Sequence, residues 1–262
     1  MFVFSVLAVA AFIAWLTKTV TTEGALAGLG LGTVVFVSTG LGGLAVLAAF
    51  FVSSTVVGRI RREQKERLGI ERIHEKGDRR DAVQVFANGG VGMGSSILYA
   101  LTEEPLFLVA FFVSFAAATA DTWASELGIL SRRKPRSIIN LKPLERGISG
   151  GVSLIGFAAS FVGALLIASL VFVVDPSLAP RFWTPVLIGG FMGSLVDSIL
   201  GATLQAQYRC AQTGRVVERP LSGSLKNRLI KGIPWMNNDM VNFLSILTVT
   251  VTISVWFAIS QG

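Results

Sequence analysis

Four acidic residues lie inside long apolar segments of this chain or at their edges: Asp121, Glu126, Asp197 and Asp239. An ionised carboxylate within a membrane span costs on the order of 3 kcal/mol, so each must face protein, water or a cation. Carboxylate oxygens suit Mg²⁺, which binds through one or two carboxylates together with substrate phosphates. We therefore take all four as candidate Mg²⁺ ligands, and Asp121 and Asp197 also as candidate catalytic residues.

Amide side chains accompany these acids. Asn88 is a third candidate catalytic residue, and Asn238 and Asn242 are candidates for contacting the substrate or nucleotide. Polar stripes of this kind also serve simple helix packing in membranes, but packing explains the carboxylates less well.

Basic and glycine residues near the acids suit phosphate. The candidate phosphate-binding cations are Lys134, Arg136, Lys142, Arg146, Lys226 and Arg228. Gly150 and Gly151 open an apolar segment, where the N–H groups of a helix N-terminus could bind an anion. The chain has no G-x-x-x-x-G-K-[ST] motif, so a kinase would need a site without a P-loop. Acids for a metal and bases for phosphate predict phosphoryl or nucleotidyl transfer on a lipid.

Asp121 and Glu126 are five residues apart, which is about 140° around a regular helix. Both cannot point at one ion unless the helix breaks there. Glu126 could instead orient a cation of a neighbouring loop, which makes Asp121 the stronger candidate ligand.

The composition is that of an integral membrane protein. Of 262 residues 52% are hydrophobic and only 15% are charged, against about 25% charged in a soluble domain, and the mean hydropathy is +0.65. Short loops separate the apolar segments, which predicts a single integral-membrane domain over residues 1–262. Within it, residues 59–81 mix both charges and predict a cytoplasmic helical loop.

The apolar segments predict an all-α polytopic bundle of about eight spans, with seven as the alternative. The segment 24–58 is too long for one upright span, and the turn-like cluster 38–43 divides it into two helices. The other spans are predicted at 2–17, 82–101, 105 to about 130, 150–174, 184–207 and 239–259. The segment from Asn88 to Ser125 and the segment from Ser149 to Gly201 share short motifs near their two ends. This similarity suggests a parallel internal repeat of two helical hairpins.

The basic residues predict the orientation. Three segments, 59–80, 132–146 and 209–231, hold 21 of the 23 Lys and Arg residues. The positive-inside rule makes these segments cytoplasmic, and we expect the membrane to be a prokaryotic cytoplasmic membrane.

Several motifs together resemble one known family. They are A-D-T-W-A-S-E-L-G at 120–128, Lys134-Pro-Arg136, Gly150-Gly-Val-Ser153, Gly190 to Ser198, Leu200-Gly-Ala-Thr203, Asn237-Asn-Asp239 and Gln84-Val-Phe-Ala-Asn88. This set resembles the integral-membrane phytyl-phosphate kinases and their transmembrane relatives. The resemblance implies phosphorylation of phytyl phosphate to the diphosphate by CTP or another nucleoside triphosphate. Gly147-Ile-Ser-Gly150 departs from the Gly-Thr-x-Gly expected there.

We therefore predict a Mg²⁺-dependent prenyl-phosphate kinase, with a nucleoside triphosphate and an isoprenyl monophosphate such as phytyl or geranylgeranyl phosphate as partners. The lipid bilayer is the third partner, and nucleic acid is not expected. Two alternatives remain open at this point: a lipid transporter or flippase, and a nucleotidyltransferase that forms a CDP-lipid.

Overall fold

The computed structural model describes residues 2–60 and 79–261. Seven helices form most of these residues: α1 (Phe2–Leu16), α2 (Thr22–Ile60), α3 (Ala82–Thr102), α4 (Pro105–Gly128), α5 (Leu154–Val174), α6 (Ala179–Thr203) and α7 (Asn238–Gln261). Most of the predicted mixed-charge loop, residues 61–78, lies outside the described residues.

Helix α2 contains the break that the cluster 38–43 predicts. Gly40 has φ 67° and ψ −157°, which interrupts the helix. The two halves fold back on each other. Arg59, in the last turn of α2, donates to the hydroxyl of Thr19, just before the start of α2, at 2.9 Å. Gly32 likewise lies against the side chain of Leu47. Segment 24–58 therefore consists of two antiparallel helices, as predicted.

Helix α4 is the centre of the bundle. Every residue from Leu108 to Ala120 is buried, and α4 packs against α2, α3, α5, α6 and α7. Small residues allow close approach: a Cβ on Gly190 of α6 would lie 2.7 Å from the Cβ of Ala116. A helix that is apolar on all sides is expected at such a central position.

Five of the described helices, namely α2, α4, α5, α6 and α7, are long and apolar enough to cross a membrane. This confirms a mostly helical bundle with several candidate spans, whereas the number of eight spans stays a prediction. Helix α6 begins at Ala179 rather than at the predicted Thr184. Pro180 lies in its first turn, where the missing N–H is not needed, and Pro185 lies inside the helix.

Short strands, which the all-α prediction did not include, lie between the helices at one end of the bundle. An antiparallel pair joins β1 (Arg136–Ser137) to β2 (Gly151–Val152). A three-stranded sheet has the order β4 (Val216–Val217), β3 (Gln207–Arg209), β7 (Arg228–Lys231), and β5 (Leu221–Ser222) pairs with β6 (Leu225–Lys226). We call this end, which carries segments 79–81, 129–153 and 204–237, the basic end.

Candidate active site

A polar pocket of about 280 Å³ opens at the basic end. Its walls are the first turns of α3, α5 and α7, the last turns of α4, the second half of α6, and the turn 146–153. Three helix N-termini, with their positive dipole ends, therefore surround one cavity. Such an arrangement favours anions.

Two carboxylates meet in this pocket. Asp121 of α4 and Asp197 of α6 lie close enough for their side chains to interact directly. Asp197 Oδ2 accepts a hydrogen bond from the hydroxyl of Ser245 at 3.2 Å. The amide of Asn242, in the orientation that satisfies its neighbours, donates to the same oxygen at 3.0 Å. Each of the two hairpins in the suggested repeat, α3–α4 and α5–α6, thus supplies one acid.

The acids fit a magnesium ion that is bound together with substrate. Among residues 2–60 and 79–261, no three His, Cys, Asp or Glu side chains form a preformed metal cage. Mg²⁺ seldom uses such a cage and is usually held by one or two carboxylates, waters and substrate phosphates. Asp121 and Asp197 offer that donor set, and Asp239 lines the same pocket.

The turn 146–153 is shaped by two glycines with positive φ, Gly147 at 86° and Gly150 at 81°. A Cβ on Gly150 would lie 2.5 Å from the Cα of Ala202, so only glycine fits there. The turn ends at Ser153, which caps α5 by accepting a hydrogen bond from the N–H of Gly156 at 3.1 Å.

Glu218, from the loop between β4 and β5, holds the turn 146–153 in place by hydrogen bonding. One carboxylate oxygen accepts from the N–H of Ser149 at 2.7 Å, and the other accepts from the amide of Gln205 at 3.0 Å. Only 5% of Glu218 is exposed. The strand-containing loop 204–237 therefore fixes the position of a pocket wall.

Arg80 reaches the pocket from the segment before α3. Its charge interacts with that of Glu126, and burial lowers the pKa of Arg80, an effect that Glu126 partly offsets. Glu126 thus has a nearby cation, which is consistent with the alternative role suggested by its angle to Asp121; that role stays a prediction.

Ten predicted site residues line this pocket: Asn88, Asp121, Glu126, Arg146, Gly150, Gly151, Asp197, Asn238, Asp239 and Asn242. The structure places five predicted phosphate-binding cations outside its walls: Lys134, Arg136, Lys142, Lys226 and Arg228. Lys134 pairs with Glu145 at 3.4 Å, and Arg136 donates to the carbonyl of Leu141 at 3.0 Å. The other three are exposed.

Two residues of the site region had not been selected from the sequence, Arg80 and Glu218. Arg80 directly precedes Asp81, whose side chain accepts from the N–H of Gln84 and caps α3. An arginine beside a capping box at the start of a polar-striped helix was the available signal. The sequence around Glu218 gave no such signal, because its hydrogen-bond partners, Ser149 and Gln205, are distant in sequence.

The fold and the pocket define a polytopic helical membrane protein with a polar pocket at one end of its bundle. The family described as integral membrane protein DUF92 matches residues 5–250. The chain belongs to this family, which confirms at the family level the resemblance that the motifs predicted.

Similar proteins come from several kingdoms. Protein PGR of Arabidopsis thaliana is 30% identical over 94% of this chain and 91% of its own length. An uncharacterised membrane protein of Methanocaldococcus jannaschii, MJ0933, is 31% identical over 70% of this chain and 74% of that protein. Protein VTE6, chloroplastic, of Arabidopsis thaliana is 25% identical over 82% of this chain and 59% of that protein. These plant relatives give no support to the expected restriction to a prokaryotic membrane. No solved structure matches the chain.

Proposed function

We propose that the protein is a prenyl-phosphate kinase, which transfers a phosphoryl group from a nucleoside triphosphate such as CTP to an isoprenyl monophosphate. The observation that carries this proposal is the meeting of Asp121 and Asp197 in one pocket with three helix N-termini. Carboxylates suit a metal and helix N-termini suit phosphates. The resemblance to phytyl-phosphate kinases and the similarity to VTE6 support the same reaction class.

Each wall of the pocket then has a role. Asp121 and Asp197, with Asp239 beside them, would hold Mg²⁺, which supplies charge neutralisation to the donor phosphates when bound. Asn88, Asn238 and Asn242 would orient the substrates, and the turn 146–153 would lie against the phosphate oxygens. The acceptor phosphate is already ionised, so positioning and electrostatic stabilisation carry the reaction rather than a strong general base.

The acceptor chain would lie among the helices. Phe157 of α5 lines the pocket and is 46% exposed. It gives the polar pocket an apolar side chain that a prenyl chain could contact. We place the pocket at the cytoplasmic face, because its end of the bundle carries the basic segments.

A labelling experiment tests the reaction. Purified protein is incubated with Mg²⁺, a panel of prenyl monophosphates, and CTP labelled at either the α or the γ phosphate. Transfer of the γ label to a prenyl diphosphate is the expected result. Transfer of the α label with release of diphosphate would instead identify a CDP-lipid nucleotidyltransferase, and no product with any acceptor would favour transport.

Asp121→Asn removes one carboxylate of the facing pair and is expected to lower turnover by about 100-fold or more, since it removes a charge that acts on the reacting phosphates. Asp175→Asn is the matched control, because Asp175 lies at the opposite end of the bundle, where it accepts from Ser177. Near-normal turnover in correctly inserted Asp121→Asn protein would refute the assignment.

A further inference from the structure

Arg80 points in an unusual direction for a cation at the end of a membrane bundle. Its backbone lies at the basic end, where its N–H donates to Thr19 at 3.1 Å and its carbonyl accepts from Thr21 at 2.9 Å. The guanidinium, however, lies over the rings of Phe51 and Phe50, 5.5 and 5.9 Å from their centroids.

These two rings place the charge well inside the bundle. Phe50 and Phe51 precede Arg59, the basic residue at the end of α2, by eight or nine residues, on the order of 12 Å along the helix. Long basic side chains near a membrane surface normally extend outward and keep their charge in water. Arg80 does the reverse, so the inward position of its charge calls for a ligand or a counterion.

Glu126 supplies the counterion, and Gly24 of α2 allows the backbone of Arg80 to approach closely, because a Cβ on Gly24 would collide with the carbonyl of Arg80. Glu126 lies beside Gly58 of α2, where a Cβ would make an ordinary contact of 3.8 Å with the carboxylate carbon. Yet Nη1 of Arg80 is fully buried and has no hydrogen-bond partner among the described residues. A buried donor without a partner is costly, so the pair alone does not satisfy this guanidinium.

The residue that carries this donor also lines the pocket. Of the basic residues that the structure describes, Arg80 and Arg146 line its walls. Arg146 uses its Nη2 to donate to the carbonyls of Ser131 and Arg132, both at 3.1 Å, and so helps to hold the turn 146–153. Arg80 instead approaches from the α3 wall, beside Gln84 and Asn88.

We propose that Arg80 is a phosphate-binding residue of this pocket, held in position by Glu126 and by the faces of Phe50 and Phe51. The inference rests on the proposed use of phosphate substrates and adds the side chain that recognises them. Arginine suits this role because its planar guanidinium can donate two parallel hydrogen bonds to a phosphate. The ligand is a phosphate group, either the prenyl monophosphate or the phosphate chain of the donor.

Binding measurements on purified protein in detergent test this directly. Calorimetry gives the Kd for inorganic pyrophosphate with Mg²⁺ and for geranylgeranyl monophosphate. The variants are Arg80→Gln, the double variant Arg80→Gln/Glu126→Gln, and Arg215→Gln as a control, since Arg215 is exposed in the hairpin between β3 and β4. The loss of a charge-assisted hydrogen bond predicts a Kd about 10- to 100-fold weaker in Arg80→Gln. Arg215→Gln should bind as the wild type does.

The double variant separates recognition from structure. It removes both charges, so its thermal stability should return toward that of the wild type while its phosphate binding stays weak. Binding restored in the double variant, or unchanged in Arg80→Gln, would overturn the inference, as would a wild-type protein that binds neither probe. A loss confined to one probe supports the inference and assigns Arg80 to that substrate.

The outcome is independent of turnover. A wild-type protein that binds the probes through Arg80 but makes no prenyl diphosphate would remove the proposed reaction and leave the phosphate site. If Arg80→Gln leaves prenyl diphosphate formation unaffected, the proposed reaction stands and the assignment of Arg80 to the phosphate site is removed.

Discussion

Removing Glu218 should destabilise the protein and displace a wall of the pocket. The carboxylate of this buried residue is the acceptor for two donors, the N–H of Ser149 and the amide of Gln205. Glu218→Ala leaves both donors without a partner in a site where water has little access. Each orphaned buried donor costs about 1–3 kcal/mol, so the alanine variant should lose about 2–6 kcal/mol.

Glu218→Gln should be much milder, for a reason visible in the structure. Its amide oxygen can still accept from Ser149. Its NH₂ group can donate to Gln205 Oε1, which is buried without a partner in the described part of the chain, after the amide of Gln205 rotates. Two charge-assisted bonds are exchanged for two neutral bonds, so the expected loss is about 1–3 kcal/mol.

Thermal unfolding in detergent, followed by tryptophan fluorescence, measures this order. Glu145→Ala is the control, because Glu145 is 75% exposed and its ion pair with Lys134 lies on the surface, where such a pair contributes about 0–1 kcal/mol. The expected Tm order is wild type and Glu145→Ala highest, then Glu218→Gln, then Glu218→Ala. KM for both phosphate substrates should rise in the alanine variant, since the turn that includes Ser149 lines the pocket. Equal Tm values for Glu218→Ala and Glu145→Ala would refute the reasoning.

Two further predictions concern close packing at glycines. Gly150→Ala and Gly214→Ala both place a Cβ at positive φ, about 1–2 kcal/mol of strain, but only at Gly150 does the Cβ also meet a neighbouring backbone. Gly150→Ala should therefore lower the Tm further and impair turnover, whereas Gly214→Ala should retain turnover; equal effects would mean that the turn yields to the new side chain. Gly190→Ala forces a methyl group between α4, α5 and α6 and should cost about 1–3 kcal/mol. Gly28→Ala, whose Cβ would meet nothing within 4 Å, should keep or slightly raise the Tm, because alanine is favoured over glycine inside a helix by about 0.5–1 kcal/mol; a similar Tm for both variants would contradict the packing.

The helices were largely predictable because their apolar segments are long. The break at Gly40 was also predictable, since a glycine cluster in a segment too long for one span marks a turn. The strands β1 to β7 were not, because runs of two to four residues are too short to show an alternating pattern. Their pairing depends on contacts between segments, such as β3 with β7, that the local sequence does not specify.

The acids of the site were predictable for an energetic reason. Asp121 and Asp197 stand in apolar segments where a carboxylate is costly, so each signals a specific environment. Their helices could be oriented by the basic segments, which placed both acids near one end. That they face each other required the packing of α4 against α6, which small residues such as Gly190 make possible.

The cations of the site were less predictable, because a basic loop residue can set the membrane orientation, serve the site, or do both. The sequence does not separate these roles. Basic residues in loops set the orientation of a membrane protein wherever they lie on the correct side. Only a side chain that the fold turns inward can also serve the site. Lys134 and Lys226 remain exposed and lie outside the pocket walls, whereas Arg80 lines the pocket and has Glu126, 46 residues later in the chain, as an opposite charge. The local sequence does not contain that long-range pairing, so it could not separate Arg80 from the other loop cations.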